Sequence, residues 1–256
     1  MAVHWYMAAS GQILWPPPRV GTAMTAHPRL LGFIACVLLL ASGCGQSDRA
    51  YYPTETGRWW YYETRAEVRS ETNRQRLFVA NLKREGERLI QRRQAGQQHV
   101  YTITPEGLQH EGFSEGGAGD TSAVQATQHL VLPAKPATGQ QWIFKSRLRV
   151  IDSRTFAPED RLARLPLNLD MQATVAALDD TVEAPTGRYS QCLRIDSSGR
   201  MNVPVDHAQS FVEVIAEQRE WYAPGVGLVR LERKERSDST FLQNGSYVQE
   251  LLATGR

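Results

Sequence analysis

Two stretches of the sequence alternate regularly between apolar and charged residues, and this alternation constrains the fold more than any other feature. They are FKSRLRVID, residues 144–152, and FVEVIAEQREWYA, residues 211–223. The opposing faces are Phe144, Ser146, Leu148 and Val150 against Lys145, Arg147 and Arg149, and Val212, Val214 and Ala216 against Glu213, Glu217 and Arg219. A period of two with one charged face predicts antiparallel strands that bury one side only.

Several other segments indicate strands separated by turns. HVYTIT, SYVQELL and RYSQCLRID are rich in β-branched, aromatic or alternating residues. In the last of these, Tyr189, Gln191, Leu193 and Ile195 are expected to share one face. Turns are predicted at 105–107, 185–187, 198–199 and 244–245, the last as a tight Asn-Gly hairpin with positive φ. Residues 114–128 predict a mobile loop, and PEDRLARL, residues 158–165, a short helix. The predicted fold class is therefore all-β, mainly antiparallel, with few short helices.

The N-terminal region has the parts of an export signal. Residues 24–29 carry a weak positive charge, and residues 30–41 are uncharged and mostly apolar. As a helix, this run would span about 18 Å, too little for a hydrocarbon core of about 30 Å. The ending LASGC, up to Cys44, resembles a bacterial lipobox, which implies acylation of Cys44. The alternatives are ordinary secretion with cleavage after a small residue, or a core cysteine.

These features predict the organisation of the chain. We expect residues 24–43 to be a lipoprotein signal peptide, 44–50 a short tether and 51–256 a single β domain. Three consecutive prolines in residues 1–23 cannot continue a helical signal segment. We therefore expect translation to begin at Met24, with 1–23 a gene-model extension.

Charge and cysteine content narrow the function further. The chain has 29 basic and 27 acidic residues, but Arg19 and Arg29 precede Cys44, so the remainder carries no net charge. This argues against nucleic-acid binding, which requires a basic surplus. Beyond Cys44 the one remaining cysteine is Cys192, which is expected to be buried and free of any internal disulfide.

Motifs for catalysis or metal binding are missing from the sequence. There is no G-x-S-x-G, H-E-x-x-H, P-loop or C-x-x-C motif. The histidines His99, His110, His129 and His207 show no metal-ligand spacing. We therefore expect no enzymatic activity, no cofactor and no metal.

An aromatic cluster at 51–62, YYPTETGRWWYY, is the candidate binding surface. If Trp60 and Tyr62 face inward, Trp59 and Tyr61 face outward and could form a ligand or partner surface. The alternative is that the outward rings only cover a sheet edge. Within the cluster, TGRWWYY is echoed by TGQQWIF at 138–144, and each predicts a turn that leads into a strand whose tryptophan reaches the core.

The glycine-containing stretch EWYAPGVGLVR, residues 220–230, predicts a turn rather than a nucleotide loop. A dinucleotide fingerprint needs a third glycine and a following helix. Here residues 228–233 alternate as a strand, so Gly225 and Gly227 are expected to close a hairpin.

Together, YYPTETGRWWYY, APTGRYSQCLRI and EWYAPGVGLVRLE resemble a family of uncharacterised bacterial envelope lipoproteins with a C-terminal WYAPGVGLV motif. The resemblance implies a sheet curled into a half-barrel, similar to the periplasmic carrier and receptor of lipoproteins. It supplies no catalytic residues.

The leading hypothesis is a non-enzymatic lipoprotein that faces the periplasm and acts as a binding or envelope-assembly module. Acylated Cys44 would hold it in the bilayer, with the outer membrane favoured because Gly45, rather than aspartate, follows. Its partner would be an unknown envelope protein. The alternative is a carrier or sensor of a hydrophobic ligand or lipid, held in the concave face of the half-barrel. An envelope hydrolase would need acid-base groups that converge in a cleft.

Overall fold

The structure is a computed structural model that describes residues 50–68, 71–93, 96–114, 125–150, 168–204, 211–239 and 242–256. Twelve strands form within these ranges, all in the compact unit Ser47–Arg256. They are β1 (Trp59–Val68), β2 (Glu71–Glu85), β3 (Arg88–Arg93), β4 (Gln98–Ile103), β5 (Gly107–Ser114), β6 (Gln125–Pro133), β7 (Gln141–Arg147), β8 (Asn168–Ala184), β9 (Gly187–Pro204), β10 (Phe211–Ala223), β11 (Gly227–Ser237) and β12 (Gly245–Gly255).

The strands form one antiparallel sheet in which all sequence neighbours pair except β6 and β7, and β1 also pairs with β12. The sheet therefore consists of two six-stranded meanders, β1–β6 and β7–β12, joined at β1 and β12, with β6 and β7 at its two edges. These edges approach each other, since the rings of His129 on β6 and Phe144 on β7 are 5.7 Å apart. The sheet is thus strongly curled, and the prediction of an all-β, mainly antiparallel, curled sheet is confirmed.

Alternation predicted the buried faces of β7 and β10 correctly. In β10, Val214 and Ala216 are fully buried whereas Glu213 and Glu217 are exposed. In β7, the predicted inner positions are half-buried and the basic positions are exposed. The strand ends at Arg147, although the alternation continues to the buried Val150.

The predicted face of β9 is wrong at Gln191. This residue is exposed and has a φ of 56°, and the pairing of β8 with β9 shifts register around it. The irregularity turns Cys192 into the core directly beside Leu193, and both are fully buried. Cys192 is free, as expected, and burial raises the pKa of its thiol to about 11, with a further contribution from Asp180.

Two glycine-containing pairs that were predicted to form turns, Ser198-Gly199 and Asn244-Gly245, do not do so. Ser198-Gly199 lies inside β9, where a Cβ on Gly199 would overlap the backbone oxygen of Asp170. Asn244 directly precedes β12 and Gly245 begins it, and neither residue has positive φ, so the pair is not the tight hairpin that was predicted. A Cβ on Gly245 would overlap the side chain of Val150. Both glycines therefore permit close packing rather than a turn.

The predicted turns at 105–107 and 185–187 are confirmed between β4 and β5 and between β8 and β9. The predicted loop 114–128 is wrong at its end, because β6 begins at Gln125; residues 115–124 lie outside the described residues. Several other predictions also lie outside the described residues. They are the segments 1–23 and 24–43, Cys44 with most of its tether, and the helix at 158–165. No helix in the described ranges is long and apolar enough to cross a membrane.

The repeated Thr-Gly-x-x-Trp pattern opens both meanders in the same way. Gly57 and Gly139 have φ values of 83° and 84°. The Gly57 amide donates to the carbonyl of Asn81 at 2.8 Å, and the Gly139 amide donates to that of Val175 at 2.8 Å. The tryptophans Trp60 and Trp142 then both pack into core clusters, as predicted.

Candidate ligand-binding cavity

The curled sheet encloses an open cavity of about 610 Å³. All twelve described strands contribute lining residues, one from each being Trp60, Val79, Gln91, His99, His110, Leu130, Phe144, Ala173, Ile195, Tyr222, Leu231 and Gln249. This volume lies within the range of about 300–1,000 Å³ that is typical of small-molecule sites. The inner face of the sheet is therefore not filled by its own side chains.

The lining is aromatic and aliphatic over much of its area. Trp60 is 3% exposed, and Tyr62 on the same face of β1 is also buried. Trp142 and Phe144 extend the aromatic wall along β7, and Ile195 adds an aliphatic side chain from β9. The sequence predicted that Trp60 reaches the core, and Tyr62 shares its inner face of β1.

A network of neutral polar side chains lines the part of the cavity under β2–β4. The amide of Gln91 donates to the hydroxyl of Tyr52 at 2.8 Å and to the side-chain oxygen of Asn81 at 3.2 Å. Asn81 in turn donates to the backbone oxygens of Pro53 and Glu55. These contacts satisfy buried amides, which would otherwise be costly, and they fix the N-terminal aromatic segment against the sheet.

Histidines from adjacent strands meet beside this network. Nδ1 of His99 lies 3.0 Å from Nε2 of His110, and the rings of His110 and His129 are 5.1 Å apart. Burial, followed by the charge of Arg93 and the effect of His110, lowers the pKa of His99 to about 2. Burial, followed by His129 and Arg93, lowers the pKa of His110 to about 3. Both imidazoles are therefore neutral at neutral pH.

The linear search for metal-ligand spacing missed this cluster because its members belong to three strands. The hairpin register pairs Tyr101 with His110 and His110 with His129. A turn at 105–107, which the sequence predicts, would have placed position 101 opposite 110. Within the described part of the chain, no three His, Cys, Asp or Glu side chains are arranged to hold a metal ion.

Arg93 brings a positive charge into the same part of the cavity. It ends β3, is half-buried, and donates to the hydroxyl of Tyr101 at 3.3 Å. Its Nε is buried without a hydrogen-bond partner. No carboxylate among the described residues pairs with this guanidinium.

A second arginine on the inner face, Arg233 of β11, is fully paired. Its Nε donates to Glu235 at 2.6 Å, and both side chains are wholly buried. Its other nitrogens donate to Ser146, Gln218 and the backbone oxygen of Arg147. The Glu235 carboxylate also accepts the backbone amides of Arg149 and Val150. This ion pair therefore fastens the chain that follows β7 to β11.

The stretch APGVGLV forms the hairpin turn between β10 and β11, as predicted. Gly225 and Gly227 have φ values of 71° and 99°. Trp60 Nε1 donates to the carbonyl of Val226 at 2.6 Å, and Tyr62 donates to that of Leu228 at 3.0 Å. The N-terminal and C-terminal motifs of the sequence thus meet in space. Trp221 and Tyr222 are both buried because the strand pairing shifts register between them.

The predicted outward residues Trp59 and Tyr61 lie on the opposite face of β1 and are half-buried. The ring of Trp59 stacks on Phe78 at a centroid distance of 6.1 Å, and Phe78 is 41% exposed. The guanidinium of Arg76 lies 6.0 Å from the ring of Tyr61. Cys44, the predicted acylation site, lies outside the described residues.

Comparison with known proteins yields structural neighbours only. No protein-family model matches the sequence, and no curated protein matches it. A protein inferred to be exported, with a YmcC-like fold, from Bacteroides fragilis is 12% identical, with a TM-score of 0.40 over 80% of this chain and 98% of that one. An inferred lipoprotein from Parabacteroides distasonis is 13% identical, with a TM-score of 0.36 over 80% and 98%.

The hypothetical lipoprotein YmcC from Escherichia coli is 10% identical, with a TM-score of 0.32 over 77% of this chain and 85% of that one. All three TM-scores lie below 0.5.

Proposed function

We propose that this chain is a lipid-anchored envelope protein whose curled sheet binds an amphiphilic small molecule. The observation that carries the proposal is the cavity of about 610 Å³, lined from all twelve described strands by both apolar and polar side chains. This mixed lining suits a ligand with an apolar body and a polar end. The proposal thereby favours the carrier or sensor hypothesis over a module that acts only through its outer surface.

The proposed role is binding without catalysis. A general base works best with a pKa near the operating pH. Burial lowers the pKa of His99 to about 2 and that of His110 to about 3, and each directs a ring nitrogen at the other. Such neutral rings serve as hydrogen-bond donors and acceptors for a bound molecule.

A fluorescence titration with N-phenyl-1-naphthylamine, a neutral apolar reporter, tests the cavity. We expect saturable enhancement in the wild type and its loss in Leu228→Trp, since Leu228 lines the cavity. Leu82→Trp is the matched control, because Leu82 is 40% exposed and lies outside the lining. Far-UV circular dichroism confirms folding of both variants. Equal reporter binding by both would contradict the cavity as the site.

The anchor is proposed from the sequence, with acyl chains on Cys44, a periplasm-facing domain and the outer membrane favoured. Metabolic labelling with an alkyne fatty acid should mark the wild type but not Cys44→Ala. Label retained on the alanine variant would refute the anchor. Sucrose-gradient separation of inner and outer membranes then tests the location.

A partner surface around Trp59 and Tyr61 is a second candidate function. It is favoured by the stacked pair Trp59–Phe78, which leaves Phe78 41% exposed on the outer face. A photo-crosslinking residue at position 59 should capture a specific envelope protein. The same residue at Ile143, which is 69% exposed on β7, is the control. Identical capture from both positions would refute the surface.

A further inference from the structure

The cavity has a polar region, where Arg93 pairs with no carboxylate of the described residues, next to an apolar region. We propose that Arg93 and His99 form a subsite for the anionic head of an amphiphile, either a carboxylate or a phosphate, whose chain occupies the apolar part of the cavity. This inference rests on the proposed function and names the class of ligand.

Arg93 has the geometry of a site that lacks its counter-ion. A guanidinium offers five N–H donors and remains protonated. Arg93 uses one hydrogen bond, to the neutral hydroxyl of Tyr101, and its Nε has no partner. A buried donor without a partner is costly, and a carboxylate or phosphate would accept from Nε and from a second guanidinium nitrogen at once.

The nearby acidic side chains of the cavity region are engaged elsewhere. Glu235 binds Arg233 at 2.6 Å, and Glu220 accepts a hydrogen bond from Tyr222 at 3.3 Å. Among the described residues, none of these carboxylates neutralises Arg93. Arg93 therefore places a positive charge without a carboxylate partner at β3, beside His99 of β4.

His99 supplies a second unsatisfied group beside Arg93. The residue is 9% exposed, and its Nε2 has no hydrogen-bond partner. When Nε2 of His110 donates to Nδ1 of His99, the neutral His99 ring carries its own proton on Nε2. That N–H then donates to the ligand's head group together with the donors of Arg93.

Apolar side chains continue from this polar end. Phe113 stacks on His99 with a centroid distance of 5.7 Å. Leu130, Trp142, Phe144 and Ile195 line the same cavity. A small inorganic anion would leave these surfaces without a partner, whereas an alkyl chain would cover them. The cavity therefore favours an amphiphile over a free anion.

Displacement of N-phenyl-1-naphthylamine by oleate, lysophosphatidic acid and oleyl alcohol tests the inference on the purified protein. Arg93→Gln should lower the affinity for oleate or lysophosphatidic acid about tenfold to a hundredfold, which is the usual effect of losing hydrogen bonds to a charged group. Affinity for oleyl alcohol should stay within about twofold. Arg93→Lys, which retains the charge, should recover part of the loss.

Arg92→Gln is the matched control, since Arg92 is the exposed neighbour on the opposite face of β3. It should bind all three ligands as the wild type does. The anionic ligand that depends on Arg93 identifies the head group as carboxylate or phosphate. His99→Phe should lower the affinity for the same anionic ligand and leave the affinity for oleyl alcohol unchanged.

Several results would overturn the subsite. These are equal weakening of oleyl alcohol and the anions in Arg93→Gln, an effect of Arg92→Gln as large as that of Arg93→Gln, or displacement by neither anion. If Arg93→Gln does not fold, the affinity for the anions is measured on Arg93→Lys instead. Unchanged anion binding in His99→Phe also counts against the subsite. Failure of the wild type to bind the apolar reporter would instead refute the proposed function itself.

Discussion

The two meanders each place an arginine on the inner face of the sheet, but in opposite electrostatic settings. Arg233 in the second meander is wholly buried and bonded to Glu235, Ser146 and Gln218. Arg93 in the first has one bond, to a neutral phenol. A saturated pair holds a structure together, whereas a charge without a counter-ion beside a cavity is available to a ligand. Arg233 therefore carries a structural charge, whereas the charge of Arg93 is proposed to bind the ligand.

The largest expected effect is on the structural side. Glu235→Gln would leave Arg233 buried without its counter-ion and weaken the hold on the amides of Arg149 and Val150. We expect a loss of about 3–5 kcal/mol in the free energy of unfolding, measured by urea denaturation. Glu217→Gln, which removes a half-exposed ion pair with Arg236, should cost at most about 1 kcal/mol. Equal losses would erase the distinction.

The next effect concerns acid sensitivity of the first meander. Because the folded-state pKa of His99 lies below the unfolded value of about 6.5, the unfolded state binds the proton first. The contribution of His99 to the free energy of unfolding is therefore fully present above pH 6.5 and declines as the pH falls toward its folded-state pKa of about 2. At pH 4.5 the cost is about 2–3 kcal/mol. His99→Phe should lose correspondingly less stability between pH 7 and 4.5 than the wild type. If His99→Phe and the wild type lose the same stability between pH 7 and 4.5, His99 is not buried in its neutral form.

The equivalence of the two meander starts predicts equal, smaller effects. Gly57 and Gly139 share a left-handed φ, and open space surrounds the position of a Cβ at both. Gly57→Ala and Gly139→Ala should therefore each cost about 1–2 kcal/mol from backbone strain alone. Thermal unfolding checks this, and a strongly unequal pair of losses would show that the two turns differ.

The smallest effect on stability is expected at Arg93. Removal of its charge breaks no ion pair, so Arg93→Gln should change the free energy of unfolding by less than about 1 kcal/mol while anion binding falls. Urea denaturation of this variant beside Arg92→Gln measures the difference. A loss comparable to that of Glu235→Gln would make Arg93 a structural residue.

Local periodicity predicted much of the fold because each strand has one face toward the core. The faces of β7 and β10 and the turns at 105–107, 185–187 and 224–226 follow from neighbouring residues alone. Gln191 was misplaced because a single left-handed residue reverses the alternation, and no neighbouring residue indicates it.

The candidate site was predicted only in part, since it depends on how strands pair. Trp60 was placed inward correctly, but the contact of His99 with His110 follows from the register of β4 and β5. In β3, Leu89, Gln91 and Arg93 face inward and Arg88, Ile90 and Arg92 face outward. The two sets have similar polarity, so hydrophobicity could not tell which arginine enters the cavity.

Crystallography with 11-bromoundecanoate tests whether the interior of the curled sheet holds the ligand with its head at Arg93. Anomalous scattering locates the bromine independently of the protein density. We expect a bromine peak among Trp142, Phe144 and Ile195, with the carboxylate within hydrogen-bond distance of Arg93. A peak confined to the outer face near Trp59 and Phe78, or a cavity left empty at saturating ligand, would contradict it.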